Sequence, residues 1–116
     1  MRAILGLLFL LIGLADPASA RCITQWLGHW GVDSTAYVLM DGGVCGIPMH
    51  AAGTSEIHSI RITARPRHGR AGVSGYVVAY RPPAGFKGQD TFSIVIAGRL
   101  AGQPKTMNVR VAVTVQ

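Results

Sequence analysis

Negative charge is the scarcest ingredient of this 116-residue chain. Five acidic residues stand against eleven Lys and Arg, for a net charge of +6. One acid, Asp16, lies in an N-terminal segment treated below, which leaves Asp33, Asp41, Glu56 and Asp90. These four are scattered along the sequence, so no close carboxylate pair suggests glycosidase-type acid–base work. The nucleophile elbow Gly-x-Ser-x-Gly is also missing. Gly72-Val73-Ser74-Gly75 has the wrong spacing and reads as a hairpin turn. His29, His50, His58 and His68 show none of the usual zinc-ligand spacings. Catalysis needs positioned acids, bases or nucleophiles. The sequence therefore predicts no enzyme, no metal site and no cofactor.

Long apolar runs are nearly absent as well, with one exception. Met1-Arg2 gives a short positive start, and Ala3 to Ala15 is apolar but shorter than the about 20 residues a membrane span takes. Asp16-Pro17 breaks the run, and Ala18-Ser19-Ala20 has the small-x-small form of a cleavage signal. Residues 1–20 are read as a secretory signal peptide and 21–116 as one domain. Arg21 stands where a lipid-modified Cys22 would need a small residue before it, which argues against a lipoprotein anchor. Loss of residues 1–20 removes Arg2 and Asp16 together, so the charge stays at +6. The expected location is the periplasm or the outside of the cell, with no transmembrane segment in the mature chain. Export also removes nucleic acid as a natural partner for the excess of positive charge.

Cysteine is limited to two residues, Cys22 and Cys45. In an oxidising compartment they are expected to pair. The bridge is expected to be local to the N-terminal part of the domain, not a link that joins two sheets through the core.

The sequence is rich in short alternating strands separated by Gly and Pro. Met107, Val109, Val111, Val113 and Val115 alternate with Asn108, Arg110, Ala112 and Thr114, the cleanest period of two in the chain. Phe92, Ile94 and Ile96 share one face of another strand, and Tyr76, Val78 and Tyr80 share one face of a third. Residues 57–63 form a further strand with Ile60 and Ile62 inward and Arg61 outward. Cys22 to Leu27 reads as a short first strand. Asp41-Gly42-Gly43, between the apolar runs 37–40 and 44–47, is a strong hairpin signal that puts Cys45 on the return strand. Residues 48–55 and 98–104 read as irregular loops. Trp26 and Trp30 are expected to lie over the core and the disulfide; the alternative is a surface aromatic pair that stacks on a sugar. Six or seven short strands without a helical pattern indicate an all-β sandwich.

The chain is organised around Tyr80 to Ile96. Pro82 and Pro83 end one strand, Gly85 and Gly88 allow backbone angles that side chains resist, and Asp90 is placed to accept N–H bonds within its own turn. Phe86 is expected to tuck its ring over the end of the core. Tyr80, Pro82, Gly85, Phe86, Gly88, Asp90 and Phe92 together spell Tyr-x-Pro-x-x-Gly-Phe-x-Gly-x-Asp-x-Phe. This resembles a repeated element of bacterial secreted immunoglobulin-like and cadherin-like domains. Pro66, His68 and Gly69 resemble the family's upstream turn, and 109–115 its last strand, so the resemblance covers about 57–115. It implies a single immunoglobulin-like or cadherin-like β-sandwich in which these residues shape turns and fill a core, and it is nearly silent on activity. The family's calcium sites are not carried over, because calcium takes about six to eight oxygen ligands and this chain has few carboxylates. Phe92 stands near the place of the tyrosine corner of some such folds and lacks its hydroxyl.

One feature is suited to binding. Arg61, Arg65, Arg67, His68 and Arg70 are dense around what reads as a basic hairpin turn. Arginine grips phosphate or carboxylate in a two-pronged fork, although loop charges commonly serve only solubility. The first functional expectation is a small secreted, non-enzymatic immunoglobulin-like module that binds an unknown protein or an anionic envelope component. A second is a polyanion- or glycan-binding protein that uses residues 65–70. A third is an enzyme or enzyme inhibitor with a site assembled from loops.

Overall fold

The longest strands form where the alternation is cleanest. In the computed structural model, which describes residues 21–28, 30–49 and 55–116, β7 (Gly88–Leu100) and β8 (Gln103–Val115) are a 13-residue antiparallel pair. Phe92, Ile94 and Ile96 of β7 and Met107, Val109, Val111 and Val113 of β8 are all buried on one face. Each such side chain contributes roughly 1.5–3 kcal/mol relative to leaving it in water. The region expected to be a loop at 98–104 is mostly strand. Leu100 pairs with Gln103 across a two-residue turn, and Ala101 and Gly102 both have positive φ (51° and 79°). That left-handed pair matches the twist of two antiparallel strands, so the ladder runs to its tip.

The other elements are β1 (Cys22–Leu27), β2 (Ser34–Met40), β3 (Cys45–Pro48), β4 (Ser55–Ala64), β5 (Arg70–Ser74) and β6 (Val77–Arg81), giving eight strands where six or seven were expected. A five-stranded sheet has the order β1-β2-β8-β7-β4, and a three-stranded sheet has the order β3-β6-β5. The two sheets form an all-β sandwich. Their facing rows bury Val38, Met40, Ile60, Val78, Tyr80 and Phe92 with the β8 valines. The Tyr80 and Phe92 rings stack across the sheets at 5.9 Å. Trp26, Trp30, Ile62, Ala71 and Phe86 pack partly buried against this core. The Trp30 ring N–H donates to the Arg99 carbonyl at 2.9 Å. Among the described residues no helix is long and apolar enough to cross a membrane.

Several turns differ from their sequence reading. Asp41-Gly42-Gly43 is not a hairpin. β2 already has β1 on one side and β8, in parallel, on the other, so no edge remains for β3. The chain instead crosses to the small sheet, where β3 pairs with β6. Gly42 and Gly43 supply the positive φ values (124° and 71°) that the crossing uses. The stretch 65–69 is likewise a crossing, since β4 pairs with β7 and β5 pairs with β6. Between β5 and β6 a hairpin does form, but Gly72, Val73 and Ser74 are paired strand and not its turn: Gly75 and Tyr76 turn the chain, and Tyr76 leaves the strand row for solvent at 56% exposure.

The Cys22–Cys45 bridge forms, with Cα atoms 5.5 Å apart. It stays within the N-terminal part of the domain, as expected, but it does connect the two sheets, at their edges. Because β3 leaves the sheet of β2, the bond joins β1, an edge of the large sheet, to β3, an edge of the small one. Residues 1–20, His29 and His50 lie outside the described residues, so the signal-peptide reading concerns a segment not described here.

A basic pole held by a buried aspartate

Asp90 organises one end of the sandwich. It sits on β7, only 4% exposed, with its side chain on the core face beside Phe92. It does not cap its own turn alone, as the sequence suggested. Oδ1 accepts the N–H of Thr91 at 3.0 Å and of Arg67 at 2.9 Å. Oδ2 accepts the N–H of Gly69 at 2.8 Å, the N–H of His68 at 3.2 Å and the Tyr80 hydroxyl at 2.7 Å. Three successive amides of the 65–69 crossing thus converge on one carboxylate, and Tyr80 adds a bond from the small sheet. Tyr80 supplies the hydroxyl that Phe92 lacks.

The electrostatics follow from this geometry. Burial alone would raise the Asp90 carboxyl. The hydrogen bonds from Gly69, Tyr80, Arg67 and His68 outweigh it and hold the pKa below the usual carboxylate value. Burial first, then the hydrogen bond to Asp90 and its charge, push the Tyr80 phenol well above its ordinary value.

Gly69 has a steric role in the same place. A Cβ there would lie 2.5 Å from the Arg81 carbonyl oxygen and 2.6 Å from the Tyr80 hydroxyl. Only a residue without a side chain lets the crossing descend onto β6. Phe86 packs its ring on His68 with centroids 4.8 Å apart, closing the end of the core as expected. Gly85 and Gly88 have positive φ (77° and 138°) in the connection that Pro82 begins.

The crossing carries the basic residues outward. Arg65, Arg67, His68 and Arg70 are exposed around it. Arg65 and Arg70 wall a cleft of about 570 Å³ floored by Ile62, Pro66, Gly69 and Ala71, between the edge strands β4 and β5. Arg65 also reaches a second depression with Arg67, His68, Gln89, Asp90 and Thr91. Arg61 does not join the cluster on the same side. It opposes Val95 on the outer face of the large sheet, whereas Arg70 lies on the outer face of the small sheet. Sequence reasoning missed Arg81 and Lys87. Arg81 is paired directly opposite Arg70, and it lines a depression with Lys87 and the 41–44 crossing. No sequence signal marks that approach, because it depends on the β5–β6 register.

The acids make no ion pair with the arginines of this pole. Asp33 accepts from the Asn108 backbone and side chain. Asp41 accepts from the Arg21 N–H, and Glu56 contacts His58 at 3.0 Å. Asp90 is engaged as described. Among the described residues, no arginine or lysine forms an ion pair. Comparison of the chain with models of protein families, with curated proteins and with solved structures gives no match.

Proposed function

We propose that the protein is a small exported, non-enzymatic module of immunoglobulin-like kind that acts by binding at the cell envelope. The observation that supports this most is the role of Asp90. The one buried acid among the described residues fastens two sheets and a crossing, with both oxygens engaged, and is not held ready for proton transfer. The residues shared with the secreted immunoglobulin-like and cadherin-like element serve the same end: Tyr80, Asp90 and Gly69 close the pole, and Phe86 and Phe92 fill it. The direct test is fractionation of cells that make the full-length chain. Release with the exported fraction and retention on isolated envelope supports the reading. Recovery only inside the cell, or no retention at any salt concentration, rejects it.

A second reading, polyanion or glycan binding by residues 65–70, is favoured by a specific observation. No guanidinium of the pole forms an ion pair among the described residues, and the one carboxylate within the pole, Asp90, is buried and bound to amides and the Tyr80 hydroxyl. Arginine is suited to phosphate and carboxylate groups in such a setting. Retention on an anionic envelope fraction should fall steeply with salt and be lost in an Arg65→Ala/Arg67→Ala/Arg70→Ala variant. Salt-independent retention would sink this reading and leave the first standing. The third expectation, a loop-assembled enzyme or inhibitor site, draws no comparable support from the geometry of the pole.

A further inference from the structure

The paired strands β5 and β6 place Arg70 and Arg81 directly opposite each other on the outer face of the small sheet. Residues in that relation have Cα atoms about 5 Å apart, and like charges placed so repel and destabilise the pair. Neither guanidinium has a hydrogen-bond or ion-pair partner among the described residues. Asp41 lines the same depression as Arg81, but its carboxylate is engaged by the Arg21 N–H. The register is not accidental. Asp90 holds the amides of 67–69, and the bare Cα of Gly69 sits against the Arg81 carbonyl, so the start of β5 is fixed opposite the end of β6. Beside the pair the sheet face is open, since a Cβ added at Gly72 would meet nothing within 4 Å.

We propose that Arg70 and Arg81 form a two-guanidinium clamp for a phosphate group. The inference rests on the polyanion reading and names both the ligand chemistry and a residue outside the basic turn. Phosphate suits the site because its oxygens can face two forks at once, and a dianion turns the Arg70–Arg81 repulsion into attraction to a shared charge. Arg65 lines a cleft with Arg70, and Lys87 lines a depression with Arg81 that also holds Asp41, so a further cationic side chain accompanies each member of the pair. The group could arrive as free phosphate or as a lipid headgroup, and the test separates these.

The experiment compares wild type with Arg81→Gln, Arg81→Lys and Arg67→Gln by thermal unfolding. It is run at low ionic strength in chloride, then with inorganic phosphate at matched ionic strength. Both Arg81 and Arg67 are exposed, so the folded state tolerates the changes. In chloride, Arg81→Gln should melt at a higher temperature than wild type because repulsion is relieved. With phosphate, wild type should gain in melting temperature, while Arg81→Gln should lose most of that gain. Arg81→Lys, which keeps the charge but not the fork, should lose part of it, and Arg67→Gln should keep most of it. A parallel arm measures flotation with phosphatidylglycerol vesicles against phosphatidylcholine vesicles. Binding to the anionic vesicles that depends on Arg81, without a response to inorganic phosphate, supports the headgroup source. A response in both arms supports the phosphate group itself. If Arg81→Gln binds both probes as wild type does while the Arg65/Arg67/Arg70 variant loses envelope retention, the clamp is wrong and the polyanion reading survives. If wild type responds to neither probe and its envelope retention ignores salt, both fail.

Discussion

The Tyr80 hydroxyl donates to Asp90 Oδ2 at 2.7 Å, a bond from the small sheet to the large one inside the core. Both residues are nearly inaccessible, so water cannot replace either partner. The consequence is an asymmetry between the two possible deletions. Tyr80→Phe removes one bond to a charged acceptor and leaves the four amides in place. It should cost about 1.5–3 kcal/mol. Asp90→Ala strands the N–H groups of Arg67, His68 and Gly69 and the phenol together, and should cost at least about 3 kcal/mol. Urea unfolding of both single variants and the double variant checks this. The double variant should be less destabilised than the sum, because the two changes remove a shared bond.

The same pair predicts how stability depends on pH. The folded pKa of Asp90 is below its unfolded value, so its contribution is complete above the ordinary carboxylate value of about 4 and is lost as pH falls through the depressed folded value. Tyr80 behaves in the opposite sense. Its folded pKa is raised, so its contribution is complete below the ordinary phenol value of about 10 and is lost as pH rises toward the folded value. Unfolding free energies measured across acid and alkaline pH should show an Asp90→Asn curve that meets the wild-type curve in acid. The Tyr80→Phe curve should lack the wild type's alkaline decline.

Much of this pole was hidden from the sequence for a definable reason. Alternation is local, so the buried rows at 92–96 and 107–115 could be read directly, as could the disulfide partners. Which strand a turn leads to is not local. Asp41-Gly42-Gly43 has hairpin chemistry, but β1 and β8 occupy both edges of β2, and only the finished sheet shows that. Asp90 looked like a turn cap because its nearest amides are in its own turn, yet three of its donors lie 21 to 23 residues upstream. Arg81 looked like the end of a strand, and its meeting with Arg70 required the register of β5 on β6. The basic cluster is legible in outline, but Arg61 stands apart from Arg70, because the two strands belong to different sheets and carry them on opposite outer faces.

Two glycines near the start of β5, Gly69 in the crossing and Gly72 in the strand, should respond differently to a methyl group. Gly69→Ala drives Cβ into the Arg81 carbonyl and the Tyr80 hydroxyl, neither of which can withdraw without breaking the pole. A cost of about 2–3 kcal/mol is expected, in the range of overpacking changes. Gly72→Ala meets open space on the sheet face and should change stability by less than about 0.5 kcal/mol. Chemical denaturation of the two variants side by side separates a steric requirement from a general preference for glycine in this strand.

The disulfide gives a prediction about which part of the molecule loosens first. Cys22 and Cys45 are separated by 23 positions, and closing a loop of that size stabilises by about 3 kcal/mol in the chain-entropy picture. Because the bond ties one edge strand to another in the opposite sheet, its loss acts on the seam between β1 and β3 and leaves the β7–β8 ladder intact. β3 has only four residues and pairs on one side only, with β6, so the bridge is a large part of what holds it. A Cys22→Ser/Cys45→Ser variant should therefore be less stable overall by about 3 kcal/mol, and its native-state amide exchange should accelerate first in 45–48 and 22–27. Amides of 92–96 and 107–113 should keep their protection until global unfolding. Uniform acceleration across all strands would show instead that the bridge acts only through the unfolded chain and not through the seam it spans.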